Sequence, residues 1–162
     1  MLPNVVVVHE AQSNIFGTDF IGNIDGALLH LASDTPSPQL VLTLGGSLTS
    51  RKIKAYLRDT DGVEHISIGH RPNSVDCFKH LAERIDADEV EAMRFLSDSI
   101  VVTAVQPSEF KRQWLDASRQ GLGAMRRAAE HAPWCDLKAA EFVLRHLPES
   151  WHLQLSNGTA VR

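Results

Sequence analysis

Leu40-Val41-Leu42-Thr43-Leu44-Gly45-Gly46-Ser47-Leu48-Thr49-Ser50-Arg51-Lys52-Ile53-Lys54-Ala55-Tyr56-Leu57-Arg58 reads as a buried strand, a glycine turn and a basic helix. Five apolar or β-branched residues in a row, Leu40 to Leu44, suit a parallel strand covered on both faces, where apolar and polar positions need not alternate. Gly45-Gly46 ends the strand. With no Cβ, the pair lets the backbone turn sharply and lets a ligand approach its N–H groups, and Ser47, Thr49 or Ser50 can cap the helix that follows. Arg51 and Lys52 then fall in the first helical turn. The helix dipole disfavours cations there, so the placement weakens the helix unless something negative lies opposite. Two readings stay open: an ordinary strand-to-helix connector, or an anion-binding corner. The spacing is neither GxGxxG nor GxxxxGK[ST], so it does not by itself imply dinucleotide or nucleoside-triphosphate binding.

Outward from this unit, the same alternation continues in both directions. Val5-Val6-Val7-Val8 is a first strand, because four β-branched residues crowd a helix and pack well on a pleated sheet. The loop from His9 to Gly22 follows, with Ile15, Phe16 and Phe20 as apolar anchors. It places His9 and Glu10 at a strand's carboxyl edge, where ligands bind in open α/β sheets. Their bland reading is hydrogen bonding to their own backbone. Asn23 or Asp25 caps a helix over Ile24 to Ala32 whose stripe is Ile24, Ala27, Leu28 and Leu31. Asp34-Thr35-Pro36-Ser37-Pro38 breaks it.

Beyond the basic helix, Asp59-Thr60-Asp61-Gly62 is a turn, and Glu64-His65-Ile66-Ser67-Ile68 alternates as a strand near a sheet edge does. Val5–Val8, Leu40–Leu44 and Glu64–Ile68 are therefore expected as neighbouring parallel strands. Phe78 to Ile85 reads as a further short strand. Asp86-Ala87-Asp88-Glu89 is a capping box for a helix over Ala87 to Leu96, and Ser99 to Val105 is β-branched enough for a strand. Ser108 caps a long helix from Glu109 to about Glu130, with Phe110, Trp114, Leu122 and Met125 on one face and Gly121 and Gly123 weakening its middle. Trp134 reads as a core plug between this helix and the next, whose stripe is Leu137, Ala140, Leu144 and Leu147. Trp151 to Leu155 leads into a last strand, His152-Leu153-Gln154-Leu155. The expected fold is α/β, a Rossmann-like three-layer αβα with a mainly parallel sheet.

Composition narrows the function. The 162 residues suffice for one core without staples, and 43% are hydrophobic. Cys77 and Cys135 are the two cysteines; with no CxxC they argue for a reducing, intracellular setting rather than a disulfide framework or structural zinc. A formal charge of -4 lacks the basic surface that nucleic acid requires. No apolar run is long enough to span a membrane, and no basic segment precedes Val5–Val8 as in a signal peptide. The eight histidines show no HExxH or zinc spacing, and no GxSxG elbow is present. Arg51, Lys52, Lys54 and Arg58 are the best anion-binding set, because Arg grips a carboxylate through two parallel hydrogen bonds and Lys supplies a point charge.

Three stretches carry a family resemblance: Leu44-Gly45-Gly46-Ser47-Leu48-Thr49-Ser50-Arg51-Lys52, then Ala132-Pro133-Trp134-Cys135-Asp136-Leu137-Lys138-Ala139, then Leu147-Pro148-Glu149 through Leu155-Ser156-Asn157-Gly158-Thr159-Ala160-Val161-Arg162. In these the chain resembles the menaquinone-pathway synthases of the MenD type, which make 2-succinyl-5-enolpyruvyl-6-hydroxy-3-cyclohexene-1-carboxylate. The resemblance implies a thiamine diphosphate enzyme that decarboxylates 2-oxoglutarate and adds the succinyl carbanion to isochorismate, with Mg²⁺ or Mn²⁺ holding the diphosphate. It implies that residues 1–150 form the central Rossmann-like domain and that 151–162 open the C-terminal pyrophosphate-binding domain. A fragment inactive alone is expected, cut from a cytoplasmic dimer or tetramer. It assigns substrate binding to Arg51, Lys52, Asn157 and Arg162, with Gly158 standing where the family has serine; no catalytic or metal-binding residue falls in the chain. A module of another class, a non-catalytic Rossmann-like domain holding an anionic ligand at the same corner, is the alternative. An upstream activating glutamate and a downstream GDG motif in the full reading frame would favour the synthase.

Overall fold

In the computed structural model, residues 2–70, 75–100 and 106–154 are described. The elements run β1 (Val7–Val8), β2 (Phe20–Ile21), α1 (Ile24–His30), β3 (Leu40–Leu44), α2 (Arg51–Arg58), β4 (Glu64–Ile68), β5 (Leu81–Ile85), α3 (Glu89–Ser99), α4 (Glu109–His131) and α5 (Asp136–His146). Every strand pairing is parallel, and helices alternate with strands from β2 to β4. This is the Rossmann-like α/β architecture expected from the alternation.

The pairing differs from expectation at the first strand. β3 and β4 are in-register neighbours from Leu40 opposite Glu64 to Leu44 opposite Ile68. β1 is not in their sheet; it pairs with β2 through Val7 opposite Phe20 and Val8 opposite Ile21. Four β-branched residues specify extended backbone but not the neighbour that completes its ladder. Phe20 and Ile21, expected in a loop, supply that neighbour, while Phe16, expected as an anchor, is 83% exposed.

The second sheet has the order β3-β4-β5, so β4 is its middle strand rather than an edge. Its alternation is inverted with respect to solvent: His65 and Ser67 are buried and Ile66 only partly so. On β3, Val41 packs toward the core, whereas Leu40, Leu42 and Leu44 are at least 37% exposed. The both-faces-covered expectation therefore fails among the described residues. An unbroken apolar run removes the signal that tells one face from the other. β5 begins at Leu81 rather than Phe78, which is buried as a loop residue against the His65 ring at 4.7 Å. The carboxylate of Asp76 holds that loop by accepting the N–H groups of Phe78, Lys79 and Leu81 at 3.2, 2.8 and 3.0 Å.

The core joins Ile21, Ile24, Ala27, Ile53, Leu57, Phe78 and Trp114. α1 crosses α4 where Gly26 meets Gly121: a Cβ on Gly121 would stand 2.5 Å from the Gly26 carbonyl carbon. Asn23, read as a cap for α1, instead donates to the Ser118 carbonyl at 2.9 Å and accepts from the Ser118 hydroxyl at 2.6 Å. The buried face of α4 is Lys111, Trp114, Ala117 and Gly121; Leu122 and Met125 point outward. α3 starts two residues later than its capping box suggested, capped by Asp88. Ser99 closes α3, and residues 101–105 of the expected strand lie outside the described residues. Trp134 is 76% exposed, not a core plug, and the α5 stripe at Leu137 and Leu144 is exposed too. Residues 151–154 form no strand.

Candidate functional site

The carboxyl end of β3 runs into the glycine turn. Gly45 has φ of 81°, in the left-handed region that glycine enters without penalty. Its N–H donates to the Ile68 carbonyl at 3.2 Å, extending the ladder to the end of β4. A Cβ built on Gly45 or Gly46 meets nothing within 4 Å. Gly46 is thus free of any steric demand from the described residues, and the space above it is open to a ligand. Behind the turn, a cavity of about 30 Å³ lies between the two strand ends, lined in part by Thr43, Ser47, His65, Ser67, Cys77 and Phe78. That volume accommodates a water-sized group.

Ser50 caps α2, its hydroxyl oxygen accepting the Ile53 N–H at 3.3 Å, so the cap is the last of the three candidates in the sequence. Arg51 and Lys52 open the helix, both exposed and, among the described residues, without an ion pair. Arg58 is different. Its guanidinium donates to the Cys77 carbonyl at 2.9 Å, and so ties α2 to the loop before β5.

The negative group opposite the helix start is Glu10. Its carboxylate accepts the Thr49 N–H at 2.7 Å on each oxygen and the Ser50 N–H at 2.6 Å. Gln12 donates to the same carboxylate at 2.6 Å. Asp25 adds a second carboxylate, accepting from the Ser50 hydroxyl at 2.6 Å. The backbone donors of Thr49 and Ser50 are therefore already taken, and a carboxylate seated just before α2 offsets the unfavourable position of its first-turn cations on the dipole. Sequence reasoning placed Glu10 at the ligand edge but gave it either a local or a chemical role. Its local contacts are with Gln12 and Ser13, but the backbone its carboxylate binds lies 39 and 40 positions away.

His65 was not singled out by sequence. Its Nε2 lies 2.9 Å from the Thr43 hydroxyl, and its buried Nδ1 has no hydrogen-bond partner among the described residues. Burial leads in pushing its pKa below the ordinary histidine value, aided by Arg84 and His80 and opposed by Asp76. The signal available was a histidine within a strand, which the edge-strand reading sent to solvent. Asn157 and Arg162 lie outside the described residues.

A parallel α/β sheet with an open glycine turn at a strand's carboxyl end defines a Rossmann-like domain, a class of open sheet whose ligands bind at the carboxyl ends of strands. More particularly, the chain is similar along 99% of its length to the 2-succinyl-5-enolpyruvyl-6-hydroxy-3-cyclohexene-1-carboxylate synthase of Porphyromonas gingivalis, with 30% identity over 166 residues. The synthases of the same name from Flavobacterium psychrophilum and Cytophaga hutchinsonii are each 29% identical, over 98% and 96% of the chain. The resemblance read from the three motifs thus extends over nearly the whole chain. The chain spans 28–29% of the length of these relatives. No family model matches it, and no solved structure does.

Proposed function

We propose that the chain is the central domain, residues 1–150, of a thiamine diphosphate-dependent synthase in menaquinone biosynthesis, with 151–162 opening the pyrophosphate-binding domain. The full protein decarboxylates 2-oxoglutarate and adds the succinyl carbanion to isochorismate, working as a cytoplasmic dimer or tetramer. Arg51 and Lys52 form a cationic wall of its substrate pocket, joined by Asn157 and Arg162. The observation supporting this role is the exposure of Arg51 and Lys52, without ion partners among the described residues, behind an open glycine turn.

Thiamine diphosphate and its Mg²⁺ or Mn²⁺ do not fit the described residues. No group of three or more His, Cys, Asp or Glu side chains among them could hold a metal, and the backbone donors before α2 that would suit a phosphate are bound to Glu10. In this reading both belong to the part of the synthase outside the chain. What these residues do is bind and orient: a substrate carboxylate is gripped by Arg51 and drawn by the point charge of Lys52.

The test is steady-state kinetics of the full-length protein with Arg51→Ala and Lys52→Ala. Each should raise the KM for an acidic substrate, with a loss of about 1.5–3 kcal/mol for a charged hydrogen bond. Unchanged KM in both variants sinks the assignment. The absence of turnover of 2-oxoglutarate with isochorismate in the unaltered full-length protein would favour the non-catalytic module.

A further inference from the structure

Glu10 lies in the loop after β1 and is 9% exposed. Regular structure does not call for its contacts: β1 is complete with β2, and α2 is capped by Ser50. Yet its carboxylate takes both backbone N–H groups that precede Arg51, at 2.6–2.7 Å. Gln12 braces the arrangement, reaching the Glu10 carboxylate at 2.6 Å and the Thr49 hydroxyl at 3.2 Å. Bonds of an ionised acceptor to backbone donors are among the stronger ones a protein makes. Two residues between the glycine turn and a cationic helix start are thereby held from the loop after β1.

We propose that Glu10 is a positioning residue of the Arg51–Lys52 site: its carboxylate fills the positive end of α2, fixes the segment between the glycine turn and Arg51, and leaves the two side-chain cations as the groups that read an incoming anion. The inference rests on the substrate-binding role proposed above for Arg51 and Lys52. The physical reason concerns competition. A helix start with free N–H groups attracts any carboxylate to the backbone, where an acidic substrate would sit too deep and out of line with the side chains. An internal carboxylate removes that alternative at Thr49 and Ser50 and fixes the geometry before the substrate arrives, and small displacements of a binding group are costly to catalysis.

The experiment uses the full-length synthase with Glu10→Gln, Glu10→Ala and Glu10→Asp, assayed with 2-oxoglutarate and isochorismate, with the thermal midpoint measured in parallel. Glu10→Gln keeps the volume but turns an amide toward backbone donors, and should raise the KM for an acidic substrate about tenfold while kcat changes less. Glu10→Ala should do the same, and added formate or acetate, by refilling the vacated position, should restore KM toward the unaltered value. Glu10→Asp should recover part of the loss. A fall in kcat at unchanged KM, as a smaller folded fraction would give, overturns the proposal. So does an unchanged KM in Glu10→Gln, which decides the matter if Glu10→Ala fails to fold. If the Arg51 and Lys52 variants raise KM while Glu10→Gln does not, the positioning role falls and the anion site stands. If the cation variants are silent, both fall together.

Discussion

His65 sits in the middle strand, with its ring against Phe78 and its Nδ1 unpaired among the described residues. A buried imidazole prefers to be neutral, and desolvation accordingly leads in lowering its pKa below 6.5. The consequence for stability has a definite sign. As pH falls through 6.5, the unfolded chain takes up a proton at this position while the folded chain does not, so the unfolded state binds more protons and stability drops with pH. The loss stops growing once pH passes below the folded value. A series of thermal midpoints from neutral to mildly acidic pH should therefore fall more steeply for the unaltered protein than for His65→Asn, even if the variant is less stable throughout. Parallel curves would show that His65 is not held neutral.

At the scale of elements, the packing of α1 on α4 turns on one close approach. Gly121 looked in the sequence like a defect in a long helix, as did Gly123. The two are not equivalent. A Cβ at Gly121 would meet the backbone of Gly26 at 2.5–3.0 Å, whereas one at Gly123 meets the flexible tip of Arg127 at 3.4 Å. Gly121→Ala should force the helices apart and destabilise by about 1–3 kcal/mol or more. Gly123→Ala should be neutral to stabilising, by up to about 1 kcal/mol from helix propensity. Denaturant melts of the two variants check both signs, and equal effects would mean that the Gly26–Gly121 crossing does not hold in solution. The helix termini were legible where the cap is local, as at Ser50 and Ser108, whose hydroxyls accept from Ile53 and Lys111. Asn23 holds the N-cap position of α1, but its side chain turns to Ser118, 95 positions away, which no local signal announces.

The whole molecule is one core flanked by apolar surface that the described residues leave open, on Leu40, Leu42 and Leu44 and along α5. The corner proposed as an anion site presents two exposed cations, and among the described residues no cavity encloses them. Exposed charge pairs contribute about 0–1 kcal/mol each, against a cost of capture of about 4 kcal/mol or more. The chain alone should therefore neither hold thiamine diphosphate tightly nor turn over 2-oxoglutarate with isochorismate. Calorimetry of the 162-residue chain with thiamine diphosphate and Mg²⁺ should detect no binding in the low micromolar range. A low micromolar dissociation constant would put the cofactor site within these residues and overturn the domain assignment.

Residue type and spacing alone determined the α/β alternation, the β3–α2–β4 unit with its parallel pairing, the glycine turn, a hydroxyl cap on α2 within three candidates and the resemblance to the synthases. All of these depend on residues within a few positions of one another or on short motifs. Tertiary structure decided that β1 joins β2, that β4 runs through the middle of its sheet with His65 and Ser67 inward, that Gly121 is a contact, and that Glu10 closes the start of α2. The reason is common to all four. Periodicity announces that an element has two faces, and composition announces that an acid needs donors, but which face is covered and which donors answer depend on groups brought from tens of positions away.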